Sequence, residues 1–276
     1  MTIDIKRARD FVYSTGTLWE KALFAYLFQQ GSIEHLHQCL LCYKNPDGGW
    51  GHGIEHDLQA PDSNTTALEY TLSVLMRDTG MPLGKLLDGT PQWLEAHRNA
   101  DGSLKNPDSI FEYPIAPWWA EWRGQPAPDS IVGNLTKAGY VTPSLAKSTR
   151  QWVQENLTLE KIKANEWLFM AYHGFDYFMN VEDFPQVEVY RQAVIDNIIA
   201  LARQAPEKQY FTLFQFVTTP DSLIARALPD VITRNLDYLA STQREDGGWS
   251  DEHDMKHWQP YFTTVVLLAL RRFGRW

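Results

Sequence analysis

The chain has 276 residues, 44% of them hydrophobic and 21% charged, with a formal net charge of -9 at neutral pH. That supplies one large core or two modest ones, and the acidic balance excludes a broad basic face for nucleic acid or anionic membranes. Charges fill the opening MTIDIKRARDF where a signal peptide needs an apolar centre, and no later run approaches a membrane span, so the reading is a cytoplasmic protein without a transmembrane segment.

In chain order, Asp4 to Val12 is a short amphipathic stretch, and Thr17 with Glu20 forms a capping-box pattern opening an apolar helix to about Gln29. Ser32 caps a helix through about Tyr43. On it Cys39 and Cys42 lie one turn apart near His35 and His37, but the interleaved Leu36, Leu40 and Leu41 favour small buried thiols over a metal site. Gly48-Gly49 stops that helix, and another starts near Asn64 and runs to about Met76. Thr90-Pro91 is a cap and first position for a helix to about Arg98. After a loop rich in Pro and Trp, Asp129 to Tyr140 returns.

Thr142-Pro143 opens the next helix towards Glu155, and an aromatic-rich helix is expected from Asn165 to about Asn180. Pro185 to Arg203 is amphipathic, Gln209 to Val217 apolar, and Pro229 to Gln243 leads through a second Gly-Gly turn to a final helix from about Tyr261 to Arg272. No period-two runs compete with these helices.

The segment NPDGGWGHGIEHD from Asn45 returns as REDGGWSDEHD from Arg244 and, in weaker form, as NADGSL from Asn99. About six helix pairs and a repeat of this size mark a repeat architecture. The second member of each pair is apolar nearly all round, as suits a helix surrounded by others. The expected fold is therefore all-α, an α/α toroid: a closed double ring of about six helix hairpins, one domain over 1–276.

Gln243 to Trp249, with the copies Lys44 to Trp50 and Arg98 to Leu104, resembles the QW-type repeat of the terpenoid cyclase and protein prenyltransferase superfamily. The resemblance implies the toroid, a central cavity, and structural roles for Trp50 and Trp249. It also places Asp62-Ser63-Asn64-Thr65-Thr66-Ala67 on the acid motif of class II cyclases, with Asn64 standing on the proton-donating Asp. An amide is no acid, so the acid has to come from elsewhere. The zinc set of the prenyltransferases is missing, and Asp251-Glu252-His253-Asp254 does not match a magnesium box, so no metal or cofactor is expected.

Two acidic loops are expected at one rim, Glu55-His56-Asp57 with Asp62, and Asp251 to Asp254. Crowded carboxylates have pKa values pushed apart, as acid–base chemistry uses. The candidate catalytic residues are Asp57 or Asp62 as acid, with Glu55 or Asp254 setting protonation. Trp118, Trp119, Trp258, Tyr261, His253 and Asn64 are candidates for binding, with Trp122 beside them. Trp167 and Phe169 read as core, and His173 with Asp176, three apart on one helical face, as an orienting pair. These residues suit an isoprenoid-like or other largely apolar small molecule in the cavity. A carbohydrate-active toroid, a glycoside hydrolase or lyase with Trp118 or Trp258 as sugar platform, and a non-catalytic interaction domain remain open beside it.

Overall fold

A computed structural model describes residues 3–121, 126–250 and 253–276, and it is all-helical. The α-helices are α1 (Ile5–Thr15), α2 (Leu18–Phe28), α3 (Ile33–Leu41), α4 (Thr65–Leu72), α5 (Thr90–Ala96), α6 (Pro117–Glu121), α7 (Asp129–Ala138), α8 (Pro143–Asn156), α9 (Leu159–Lys163), α10 (Tyr172–Phe178), α11 (Val187–Gln204), α12 (Tyr210–Phe216), α13 (Leu223–Ala227), α14 (Pro229–Ser241) and α15 (Gln259–Arg272). Extended pairing among the described residues is confined to isolated bridges such as Lys44–Trp50, Leu58–Ile115 and Arg98–Leu104.

Contacts divide the chain into two units, each discontinuous in sequence. Unit 1 comprises Met1–Cys39, Glu166–Phe169 and Ile195–Trp276; unit 2 comprises Leu40–Asn165 and Met170–Val194. Within unit 1, α15 packs on α1, α2 and α14, and α14 also meets α12 and α13. Trp19, Phe24, Trp249 and Leu267 are buried there. Within unit 2 the organising element is α7, which meets α4, α8, α10 and the wide π-helical turn Ser73–Thr79 that continues α4. Every residue of α7 from Asp129 to Leu135 is buried, and its contact with α10 is the most extensive of its contacts.

The glycine turns are the same structure built three times. In each, the Gly N–H after the Asp returns to the turn's first carbonyl, and that Gly has positive φ: 94° at Gly48, 89° at Gly102 and 94° at Gly247. The Asp accepts from the N–H two residues on, Asp47 from Gly49, Asp101 from Ser103 and Asp246 from Gly248. Trp50, Leu104 and Trp249 are buried. The indole of Trp249 donates to the Leu239 carbonyl at 2.7 Å and that of Trp50 to the Thr90 hydroxyl at 3.2 Å.

Local capping mostly follows the sequence. Glu20 accepts from the Thr17 N–H and hydroxyl, both at 2.7 Å, and Thr142 caps α8. Thr90 does not cap α5: Gly89 holds that position, and the Thr90 hydroxyl is spent on the Gly48 carbonyl and the Trp50 indole. The aromatic helix expected from Asn165 starts only at Phe169, as a 3-10 turn running into α10. With no helix before it to bury their rings, Trp167 and Phe169 are 71% and 53% exposed, so they are not core. Cys39 is buried but Cys42 is exposed, so only the first thiol has the expected place. Among the described residues no helix is long and apolar enough to cross a membrane.

Candidate functional site

The predicted site residues fall in both units. In unit 2 the acidic loop is laid against the segment leading to α6: Leu58 bridges Ile115, the Gln59 N–H donates to the Pro114 carbonyl at 3.0 Å, and Ala116 N–H donates to the Asp57 carbonyl at 2.8 Å. Leu58, Ala60 and Ile110 form a small apolar cluster beneath this pairing. Glu55 and Asp57 are thus brought to the segment that carries Trp118, exposed, and Trp119, half-buried. Asp62 accepts from the Ser109 hydroxyl at 2.9 Å. Asn64 is fully buried and is the cap of α4, accepting from Ala67 N–H at 2.8 Å while its amide donates to the Asp62 carbonyl.

In unit 1, Asp254 is exposed and closes its own loop, accepting from Ser250 at 2.6 Å and Gln259 at 3.0 Å. The Ser250 hydrogen bond, helped by Arg244 and Lys256, holds its carboxyl below the usual range. His253 is exposed. Trp258 and Tyr261 are buried and pack on each other, with Tyr261 also against Trp19. Trp122, Asp251 and Glu252 lie outside the described residues.

A second cluster in unit 2, around α7, carries more chemistry than either loop. His173, half-buried on α10, approaches Asp129 of α7 with Nδ1 2.7 Å from Oδ1. A carboxylate only accepts, so the hydrogen lies on Nδ1. Asp129 Oδ1 also accepts from Ser130 N–H at 2.7 Å. The expected partner of His173, Asp176, is turned to other work: its Oδ2 accepts from Arg77 at 3.0 Å, Ser130 at 2.8 Å and Asn134 at 3.0 Å. Arg77, itself buried, also pairs with Asp78 and lies over the Tyr172 ring at 5.2 Å. Tyr172 stacks on His173 with ring centroids 4.1 Å apart and donates its hydroxyl to Glu69 of α4 at 3.2 Å.

The electrostatics follow from this crowding. Burial pushes the Glu69 carboxyl up to about 7; Asp129 and Asp176 add to the rise, while the His173 charge and the Tyr172 hydroxyl oppose it. Glu55 rises to about 8, first by burial and then by the charges of Asp57 and Glu69. Burial by itself would lower His173, but the charge and hydrogen bond of Asp129, joined by Glu69 and Asp176, outweigh it and raise the imidazole to about 9. Burial drives Tyr172 well above its usual value, so its hydroxyl stays a donor.

At neutral pH the site therefore holds a carboxyl able to give or take a proton next to a lasting imidazolium, the separation of roles that acid–base catalysis needs. Among the described residues no group of three or more His, Cys, Asp or Glu is arranged to hold a metal ion. Glu69, Asp129 and Arg77 escaped the sequence reading because each looks like an ordinary helical charge. The one signal available was that Glu69 interrupts a largely uncharged run from Thr65 to Met76.

In comparisons with known proteins, no family model matches the chain, and no curated protein is similar enough to match.

Proposed function

We propose that this chain is a terpenoid cyclase-like enzyme of general acid–base chemistry, with Glu69 as its acid. Its substrate is a small molecule with a largely apolar, isoprenoid-like body and an oxygen at the reacting end. The observation that carries the reading is the half-buried Glu69 carboxyl, ionising at about 7 and flanked by the Tyr172 hydroxyl and the His173–Asp129 pair. A carboxyl of that strength is too weak to protonate an isolated alkene but is matched to an oxygen at neutral pH. The proton passes from Glu69 to an oxygen lone pair, and the carboxylate left behind is met by the Tyr172 hydroxyl and the imidazolium charge.

Glu69 takes the role that sequence gave to Asp57 or Asp62, since Asn64 caps a helix and Asp62 is engaged by Ser109. The closed ring of helix pairs with a central cavity, and a cytoplasmic location, belong to the same proposal. The three matching glycine turns support the first.

The test is a thermal-shift screen against isoprenoid alcohols, acids and diphosphates in one panel and neutral and acidic oligosaccharides in another. A ligand at a hundred times its dissociation constant adds about 2.7 kcal/mol when it binds only the folded state. Isoprenoids should stabilise the protein and do so less in Glu69→Gln. Stabilisation by sugars alone would replace this reading with a carbohydrate-active one, and silence in both panels would replace it with an interaction domain.

A further inference from the structure

Two atoms of the α7 cluster have chemistry left over. His173 spends Nδ1 on Asp129, and among the described residues its Nε2 has no hydrogen-bond partner, although the ring is only half-buried. Glu69 receives the Tyr172 hydroxyl on Oε2, and its Oε1 is likewise unpartnered among the described residues. Tyr172 spans the two, its ring stacked on one and its hydroxyl bound to the other. These open positions therefore belong to neighbouring groups: the Nε2–H of the imidazolium donates to oxygen, and the Glu69 carboxyl does so while it holds its proton.

We propose that His173 and Glu69 together seat a carboxylate of the ligand, the Nε2–H of His173 donating to one oxygen and the protonated Glu69 carboxyl to the other, with Asp129 positioning the ring. The ligand is then an acid rather than a hydrocarbon or simple alcohol, which narrows the oxygen-bearing substrate of the function proposed above and rests on that reading.

Asp129 fixes the proton on Nδ1, and an ionised imidazole so held carries its second hydrogen outward on Nε2. Asp129 is held in turn: Ser130 gives it a backbone N–H and gives its hydroxyl to Asp176, which Arg77 and Asn134 anchor. The charges acting on His173 are Asp129 on α7, Glu69 on α4 and Asp176 on α10 itself, and Asp176 is in turn faced by Arg77 and Asp78 of the π-helical turn and by Lys137 of α7. Arg77, Lys137 and the imidazolium offset Asp78, Asp129 and Asp176, so an added anion is admitted while Glu69 remains neutral.

The experiment uses the full chain labelled with ¹⁵N-histidine and compares octanoate with octanol at about pH 6, where the fatty acid is ionised and Glu69 keeps its proton. Octanoate should move the His173 Nε2 resonance, identified by its loss in His173→Gln, and bind about tenfold or more tightly than octanol, as a charge-assisted hydrogen bond predicts. That preference should fall as pH rises through about 7, as Glu69 ionises. It should also fall in Asp129→Asn, and His173→Gln carries the test should that variant fail to fold.

Equal binding of the two probes, binding that leaves His173 unmoved, or a preference that survives His173→Gln overturns the proposal. An isoprenoid panel that stays silent while octanoate moves His173 would sink the substrate assignment and leave the carboxylate seat standing. Isoprenoid alcohols that bind with no gain for the matching acids would do the reverse.

Discussion

Glu55, Glu69 and His173 each bind a proton more tightly in the folded chain than in the unfolded one. The carboxyls rise from an ordinary 4.5 to about 8 and about 7, and the imidazole from 6.5 to about 9. Over the range between those values the native state holds more protons than the unfolded state, so stability must fall as pH increases. The carboxyl contribution is lost from about pH 4.5 upward, and that of His173 from 6.5 through about 9. Each extra proton held is worth about 1.4 kcal/mol per pH unit at most.

Urea midpoints measured between pH 5 and 9 should decline steadily, and Glu69→Gln should flatten the part of the decline below about 7. A midpoint that rises over this range would contradict the ionisation assigned to the cluster. None of this was legible from residue types, because the partners are remote: Asp129 is 44 residues from His173, and Tyr172 is 103 from Glu69. The sequence offered Asp176 to His173 by helical spacing alone, and the fold gave Asp176 to Arg77 instead.

The packing of α7 on α10 is what converts those remote residues into a site. Gly133 makes the contact feasible: a Cβ there would come within 2.1 Å of the Asp176 carbonyl oxygen, so the two backbones touch and no side chain fits between them. Gly133→Ala should force the helices apart, at a cost of about 1–3 kcal/mol for overpacking. Since Asp129 begins α7 and His173 sits on α10, the same variant should also lower the His173 titration midpoint. Imidazole titration by NMR reads this directly, and a destabilised protein whose His173 titrates as before would show that helix spacing does not set the pair.

Elements whose signals are local read well from sequence: the capping box at Thr17, Asn64 before α4, Thr142 before α8, and the Asp-Gly turns, where φ near 90° selects glycine. Elements set by tertiary packing did not. The apolar run after Leu72 reads as a continuing α-helix but forms the π-helical turn Ser73–Thr79. That turn carries Arg77, buried against Asp78 and Asp176, and π-turns often mark functional segments.

At the scale of the whole chain, repetition was legible because each copy of the turn uses the same few residues for the same hydrogen bonds. The division into two units was not, because unit 1 joins segments from both ends of the sequence. Its closure can be traced atom by atom. Asp4 and Gln243 exchange a reciprocal pair of hydrogen bonds, N–H to Oε1 at 2.8 Å and amide to carbonyl at 2.9 Å. A Cβ on Gly247 would come within 2.3 Å of the Arg7 carbonyl carbon, and one on Gly248 within 2.7 Å of the Phe11 ring, so α1 lies directly on the last glycine turn.

Ala8, Phe11 and Val12 are buried on that side of α1. Burying side chains like Phe11 and Val12 is worth about 1.5–3 kcal/mol each, and a whole domain has only about 5–15 kcal/mol to lose. Deleting residues 1–16 should therefore uncover Gly247 to Trp249 and loosen α15, which packs on α1. Hydrogen exchange should show amides of α14 and α15 losing about tenfold or more of their protection, since 1.4 kcal/mol is already a factor of ten. If both helices kept their full protection without α1, the N-terminal segment would be an appendage, and unit 1 would draw its stability from α2, α12, α14 and α15 alone.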